Sequence, residues 1–297
     1  MDMVTASYLM MFMGFLGLDI GLFDRNTEDD AAPVDEHPLY DEADYSAEVQ
    51  GTAAADDLDA GAESDLAWFL NAGNDTLDGS DGGDYAEGGA GDDHIMMRGG
   101  NDIALGGDGA DTIDTGIGFD LASGDAGNDV LDGNGGEDTL YGGIGDDTLE
   151  GGSQSDVLFG GEGADVLSGL ATGITASDSS TVIDGLDTLS GGAGDDELLL
   201  GAGDTGIGGA GNDLFAIDNT RTDFEEYSRI SDFGAGDSLE IHHDPELDAA
   251  GTPIAPTITI TANEANTAGI IRFNGRIVAE VTGGQALTAD QIRLVAV

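Results

Sequence analysis

From residue 77 to residue 167 the apolar positions keep a period of nine. Leu77, Ala86, Ile95, Ala104, Ile113, Ala122, Leu131, Leu140, Leu149, Leu158 and Leu167 follow one another without a slip. Each sits in the middle of a three-residue stretch, which predicts a short strand with the apolar side chain turned inward. Glycine-rich loops separate these strands. A unit of nine residues cannot bury its apolar residue alone, so the units must stack into a coil.

The pattern changes on either side. Residues 8–18 (YLMMFMGFLGL) are apolar throughout, but the stretch is short for a bilayer and no membrane span is expected. Three readings of residues 1–23 stand open: a degenerate signal or anchor, a helix docking on an apolar face of the coil, or a mis-assigned start. Residues 24–66 hold 15 acids, one arginine, Pro33 and Pro38, and read as an acidic disordered linker. Trp68-Phe69-Leu70 are expected to plug the open end of the coil. The frame breaks at residues 169–184, a polar surface insertion, and resumes to residue 216, with Phe215 expected to close the coil. From residue 217 a β-rich cap is predicted. Thr257–Thr261 alternate, Ile270–Phe273 and Arg276–Ala279 flank Asn274-Gly275 as a hairpin, and Thr288 with Gln291 signals a short last helix.

Two residues before each apolar position stands an aspartate: Asp75, Asp84, Asp93, Asp102, Asp111, Asp120, Asp129, Asp138, Asp147, Asp156 and Asp165. Glycine precedes each by two, as in Gly91, Gly109, Gly127, Gly145 and Gly163, except where Gln154 stands. Past the insertion Asp187, Asp196 and Asp213 continue the series. The best copies, such as Gly142-Gly143-Ile144-Gly145-Asp146-Asp147-Thr148-Leu149-Glu150, spell G-G-x-G-x-D-x-U-x. This resembles the RTX, or haemolysin-type, calcium-binding repeat. The resemblance implies a right-handed parallel β-roll with two nonapeptides per turn, calcium between loops eighteen residues apart, and the aspartates and inner glycines above as metal-site residues. Calcium accepts about 6–8 oxygens, so one loop cannot fill its shell alone.

Eighteen-residue stacking sorts the aspartates into two columns. The first is Asp75, Asp93, Asp111, Asp129, Asp147 and Asp165; the second is Asp84, Asp102, Asp120, Asp138 and Asp156. About nine ions fit the uninterrupted run. Second-column loops depart from the motif at Ser80, Met97-Arg98, Thr115, Asn134 and Gln154, so partial occupancy is expected there, with Arg98 placed in an ion's path. The second face also carries apolar outward positions (Tyr85, Ile103, Leu105, Leu121, Tyr141, Val157, Phe159), which point to a covering segment or a protein partner.

Composition sharpens this. The 297 residues carry a formal charge of −54, with no lysine and no cysteine. A surface this acidic repels phosphate, so no nucleic acid is expected as partner. Disulfides and a P-loop are excluded outright. Residues 71–168 have a net charge of −22, which nine calcium ions would bring to about −4.

No H-E-x-x-H or G-x-S-x-G occurs, and no catalysis is expected. Gly236-Asp237-Ser238-Leu239 spells the motif of GDSL hydrolases, but lies within Ile230–Leu239, which resembles the I-x-D-F-x-x-G-D cap of RTX coils. The adjacent His242 and His243 should face opposite ways on a strand. The family resemblance further implies residues 217–297 as a cap and export region read by a type I secretion exporter, hence a secreted or extracellular protein, with association to the cell surface left open.

Overall fold

The structure, a computed structural model, describes residues 45–61, 65–171, 185–220, 226–245, 255–263, 268–282, 287 and 291–297. Residues 1–44 and 172–184, with the amino-terminal readings and most of the insertion, lie outside the described residues.

Two long sheets face one another, of 13 and 11 strands. Through the coil the chain alternates between them, so neighbouring strands of one sheet are parallel and one turn apart. In the 11-stranded sheet Leu77 pairs with Ile95, Ile95 with Ile113, Ile113 with Leu131, Leu131 with Leu149 and Leu149 with Leu167. In the 13-stranded sheet Ala86, Ala104, Ala122, Leu140 and Leu158 form the matching row. All of these side chains are buried, and the largest on one sheet face alanine on the other early in the coil. Large against small keeps a thin core filled at uniform width. Among the described residues no α-helix occurs, and none is long and apolar enough to cross a membrane.

The coil is longer than the glycine-rich repeats at both ends. Ala47–Gln50 pairs in parallel with Leu66–Phe69, and Asp57–Asp59 with Thr76–Asp78. The second half of the expected linker is therefore a turn of coil, and Trp68 lies in the second rung rather than at the open end. Acidic composition hid this turn because its apolar content is little more than Val49 and Leu58.

At the other end Phe215 does not close the coil. It pairs with Leu239 in Ser238–His243, which in turn pairs with Ile292–Ala296. Room for the ring comes from Gly206, where any side chain would meet Phe215 at 3.2 Å. The cap thus continues both sheets. The hairpin formed as expected: Gly269–Phe273 runs antiparallel to Arg276–Val281, with Asn274 and Gly275 at φ 50° and 86°. Ile258–Ala262 adds the last strand antiparallel. Of the expected final helix, Thr288 lies outside the described residues and Gln291 is in a 3-10 turn; the strand Ile292–Ala296 follows, with Ile292 and Leu294 packed against the core. Gln291 donates instead to the Asp237 carbonyl at 3.4 Å.

On the outer side of the 13-stranded sheet Tyr85 is buried against Phe69 and Tyr45, with ring centroids 5.6 and 6.2 Å away. Ile103, Leu105, Leu121, Tyr141, Val157 and Phe159 are half-buried. Tyr141 stacks on Phe159 at 5.0 Å.

Candidate metal centre

Each strand is entered through a loop whose aspartate turns into the coil. Asp75, Asp84, Asp93, Asp102, Asp111, Asp120, Asp129, Asp138, Asp147, Asp156, Asp165, Asp187, Asp196 and Asp213 are all buried, none more than 4% exposed. One oxygen of each carboxylate is accounted for by the turn before. Asp75 N–H donates to Asp93 Oδ1, Asp93 to Asp111, Asp111 to Asp129, Asp129 to Asp147 and Asp147 to Asp165, all at 2.8–2.9 Å. A second ladder runs Asp84, Asp102, Asp120, Asp138, Asp156. Both cross the insertion, Asp156 donating to Asp187 and Asp165 to Asp196. The two columns expected from the spacing are these two ladders.

The other oxygen is what calls for a cation. Oδ2 of Asp75, Asp93, Asp102, Asp111, Asp129, Asp138, Asp147, Asp165 and Asp196 is buried without a hydrogen-bond partner. A buried anionic oxygen left so is costly unless a proton or cation meets it. Burial accordingly pushes the carboxyls of Asp93, Asp129, Asp165 and Asp196 up, and those of Asp102 and Asp138 to about 8 and Asp111 and Asp147 to about 7, with stacked neighbours adding repulsion at these last four.

Carbonyl oxygens lie beside these carboxylates. A methyl on Gly88 would stand 2.5 Å from both Asp93 Oδ2 and the Gly106 carbonyl of the next turn. Gly142 and Gly160 repeat this cradle with Asp147 and Asp165. At Gly91, Gly109, Gly127, Gly145 and Gly163, φ lies between 134° and 153°, and any Cβ would overlap the carbonyl of the glycine one turn back. Among the described residues no three His, Asp or Glu side chains converge. The donor set is therefore mixed, carboxylate plus backbone carbonyl. Such hard oxygens shared between turns fit calcium, and the residues present could hold it.

The columns differ in how far their loop oxygens are already engaged by protein donors. Asp84 Oδ2 already accepts Ser80 N–H at 2.9 Å and Ser80 Oγ at 2.7 Å. Thr115 Oγ1 donates to the Gly133 carbonyl at 3.1 Å, occupying a carbonyl of the next turn, and Thr115 also hydrogen-bonds the Asp120 carboxyl of its own loop. Met97 fills the first loop position with a core side chain. Arg98 does not stand in an ion's path: its guanidinium turns outward to Asp78. Its φ of 72° matches Gly116, Asn134 and Gly152 at the same place in later turns.

Sequence reasoning missed Asp56 and Asp237. Asp56 N–H donates to Asp75 Oδ1 at 2.6 Å and Asp213 N–H to Asp237 Oδ1 at 3.1 Å, extending the first ladder at both ends. Spacings of 19 and 24 residues broke the frame. Gly236-Asp237-Ser238-Leu239 is thus a rung of the coil. His243 is buried against Phe273, while His242 sits 3.5 Å from Glu240.

The fold and site define a parallel β-solenoid whose turns are joined through buried carboxylates. The family model of the RTX calcium-binding nonapeptide repeat matches residues 69–104, 98–122, 105–140, 114–149, 141–171 and 184–207. This stretch of the chain belongs to the RTX repeat family, and its coil is an RTX β-roll. A subunit of the mannuronan C5-epimerase of Azotobacter vinelandii is similar at 25% identity, covering 51% of this chain and 80% of that one, with a TM-score of 0.20. The extracellular lipase LipA of Serratia marcescens is similar at 20% identity, with a TM-score of 0.23. That match covers 76% of this chain and 40% of the lipase. No curated protein sequence matches the chain.

Proposed function

We propose that the protein is a secreted, non-catalytic calcium-binding β-roll whose coil closes when calcium bridges successive loops outside the cell. The observation that supports it best is the row of buried Oδ2 atoms without hydrogen-bond partners. Bound calcium supplies positive charge between turns. Asp93, Asp111, Asp129, Asp147, Asp165 and Asp196 hold it in the first column with neighbouring carbonyls, and Asp102, Asp120, Asp138, Asp156 and Asp187 hold it less completely in the second.

Where free calcium is low, stacked carboxylates repel and the chain stays extended, a form suited to a type I exporter. Outside, binding free energy becomes folding free energy. Isothermal titration of the chain with calcium tests the reading. Several bound ions are expected, and the absence of binding at millimolar calcium contradicts it.

A second reading makes the coil an interaction module for a separately encoded protein. The half-buried outer row containing the Tyr141–Phe159 stack favours it. Recovery of a protein partner from culture supernatant only in calcium, lost in Tyr141→Ser/Phe159→Ser, separates the two readings.

A further inference from the structure

We infer that the outer side of the 11-stranded sheet carries a docking groove for an extended segment of a separately encoded protein, one that brings an apolar side chain and, about three residues away, an arginine or lysine. The groove lies on the sheet opposite the Tyr141–Phe159 row and uses no aspartate of the two ladders, so it goes beyond the function proposed above.

The groove arises where a repeated pairing fails. At the end of successive strands, Asp78, Met96, Asp114, Asp132 and Glu150 stand in register in one outward row. Side chains of the second-column loops fold back onto this row from twenty residues later. Arg98 covers Asp78, and Asn134 Nδ2 donates to Asp114 Oδ1 at 2.8 Å. Between them the same loop position is Gly116, which has no side chain to cover Met96. The result is a groove of about 390 Å³ walled by Met96 and Gly116, with Ile117 at its rim. Ile117 is 75% exposed, and Phe119 two residues on is 59% exposed.

The row beyond the groove sets the charge of the occupant. Gly152, next in the loop series, adds no side chain over Asp132. Glu150 Oε1, one rung further, is buried without a hydrogen-bond partner. Arg98, the only cation in residues 71–168, shows how a guanidinium lies on this row. Neighbouring rungs are about 4.8 Å apart, so Met96 and Asp132 are separated by about 10 Å, the span of about three extended residues. A segment with that spacing fills the groove and neutralises Asp132 and Glu150 together. A second copy of this chain is a poor occupant, since it carries no lysine and a formal charge of −54.

The test pans a displayed library of random dodecapeptides on the full chain saturated with calcium. Enriched peptides are expected to share an apolar residue spaced three from arginine or lysine. The leading peptide, made synthetically, should bind about tenfold more weakly to Met96→Thr/Ile117→Ser, which strips the groove of its apolar wall and rim. Asp132→Asn/Glu150→Gln, which keeps an acceptor for Asn134 N–H, should weaken it severalfold and abolish the preference for the basic residue. Both variants should keep the parent's calcium count, since neither touches a ladder aspartate. The absence of an enriched pattern, or a leading peptide that binds both variants as tightly as the parent, overturns the inference and leaves the calcium reading intact. So does a leading peptide whose binding is lost in Tyr141→Ser/Phe159→Ser, which places it on the other sheet.

Discussion

The backbone N–H of Asp129 donates to Oδ1 of Asp147, eighteen residues later, at 2.9 Å. Oδ2 of the same Asp147 is buried with no hydrogen-bond partner. One carboxylate oxygen therefore ties two turns together while the other waits for a charge. Asp147→Asn keeps an oxygen for Asp129 but removes the anion. It should lower the calcium count and raise the midpoint for folding several-fold, as read by calcium titration. Asp84→Asn should do much less, because Ser80 already satisfies that carboxylate.

Acidity gives a second prediction. Burial first, then the stacked neighbours, push Asp102 and Asp138 up to about 8 and Asp111 and Asp147 up to about 7. These folded-state values lie above the ordinary unfolded value of about 4, so the proton favours the coil. That contribution is full below about pH 4 and is lost as pH rises through about 7–8. Calcium binding runs the other way, since the ion needs the ionised carboxylate. In chelator, circular dichroism should show more β-structure as pH falls from about 8 to about 5. Over the same range the calcium midpoint should rise; a pH-independent midpoint contradicts this.

The two columns should respond differently to repair. Thr115→Gly releases the Gly133 carbonyl and should tighten or add a second-column ion in a calcium count. Arg98→Gly should leave the count unchanged, because the guanidinium is engaged with Asp78 outside the loop. An added ion in Arg98→Gly would contradict that placement.

Packing gives a fourth test. Leu149 lies between Leu131 and Leu167 in the core row and is 1% exposed. Leu149→Ala should cost about 2–5 kcal/mol in calcium-saturated denaturant unfolding. Gly145→Ala should be worse than its size implies, because φ is 135° and a Cβ overlaps the Gly127 carbonyl.

Most of the coil was legible because its constraints are local and periodic. Leu77 through Leu167 declare the core row, and Asp75 through Asp165 the ladders, since each turn must present the same atoms to the next. The ends were less legible. Asp56 and Asp237 perform the same bond at spacings of 19 and 24 residues, so no frame points to them. Phe215 read as a plug because its partner Gly206 is a contact between sheets, which no nonapeptide motif encodes. Arg98 was misplaced for another reason: position in a loop does not reveal where a long side chain turns, and Asp78 lies twenty residues away.

Calcium-dependent folding is the central claim, and far-UV circular dichroism of the full chain against calcium concentration measures it most directly. The account predicts a largely unstructured chain in chelator that gains the β-roll signal cooperatively as calcium rises. A chain that is already fully β-structured in chelator at neutral pH, and unchanged by calcium, would contradict it.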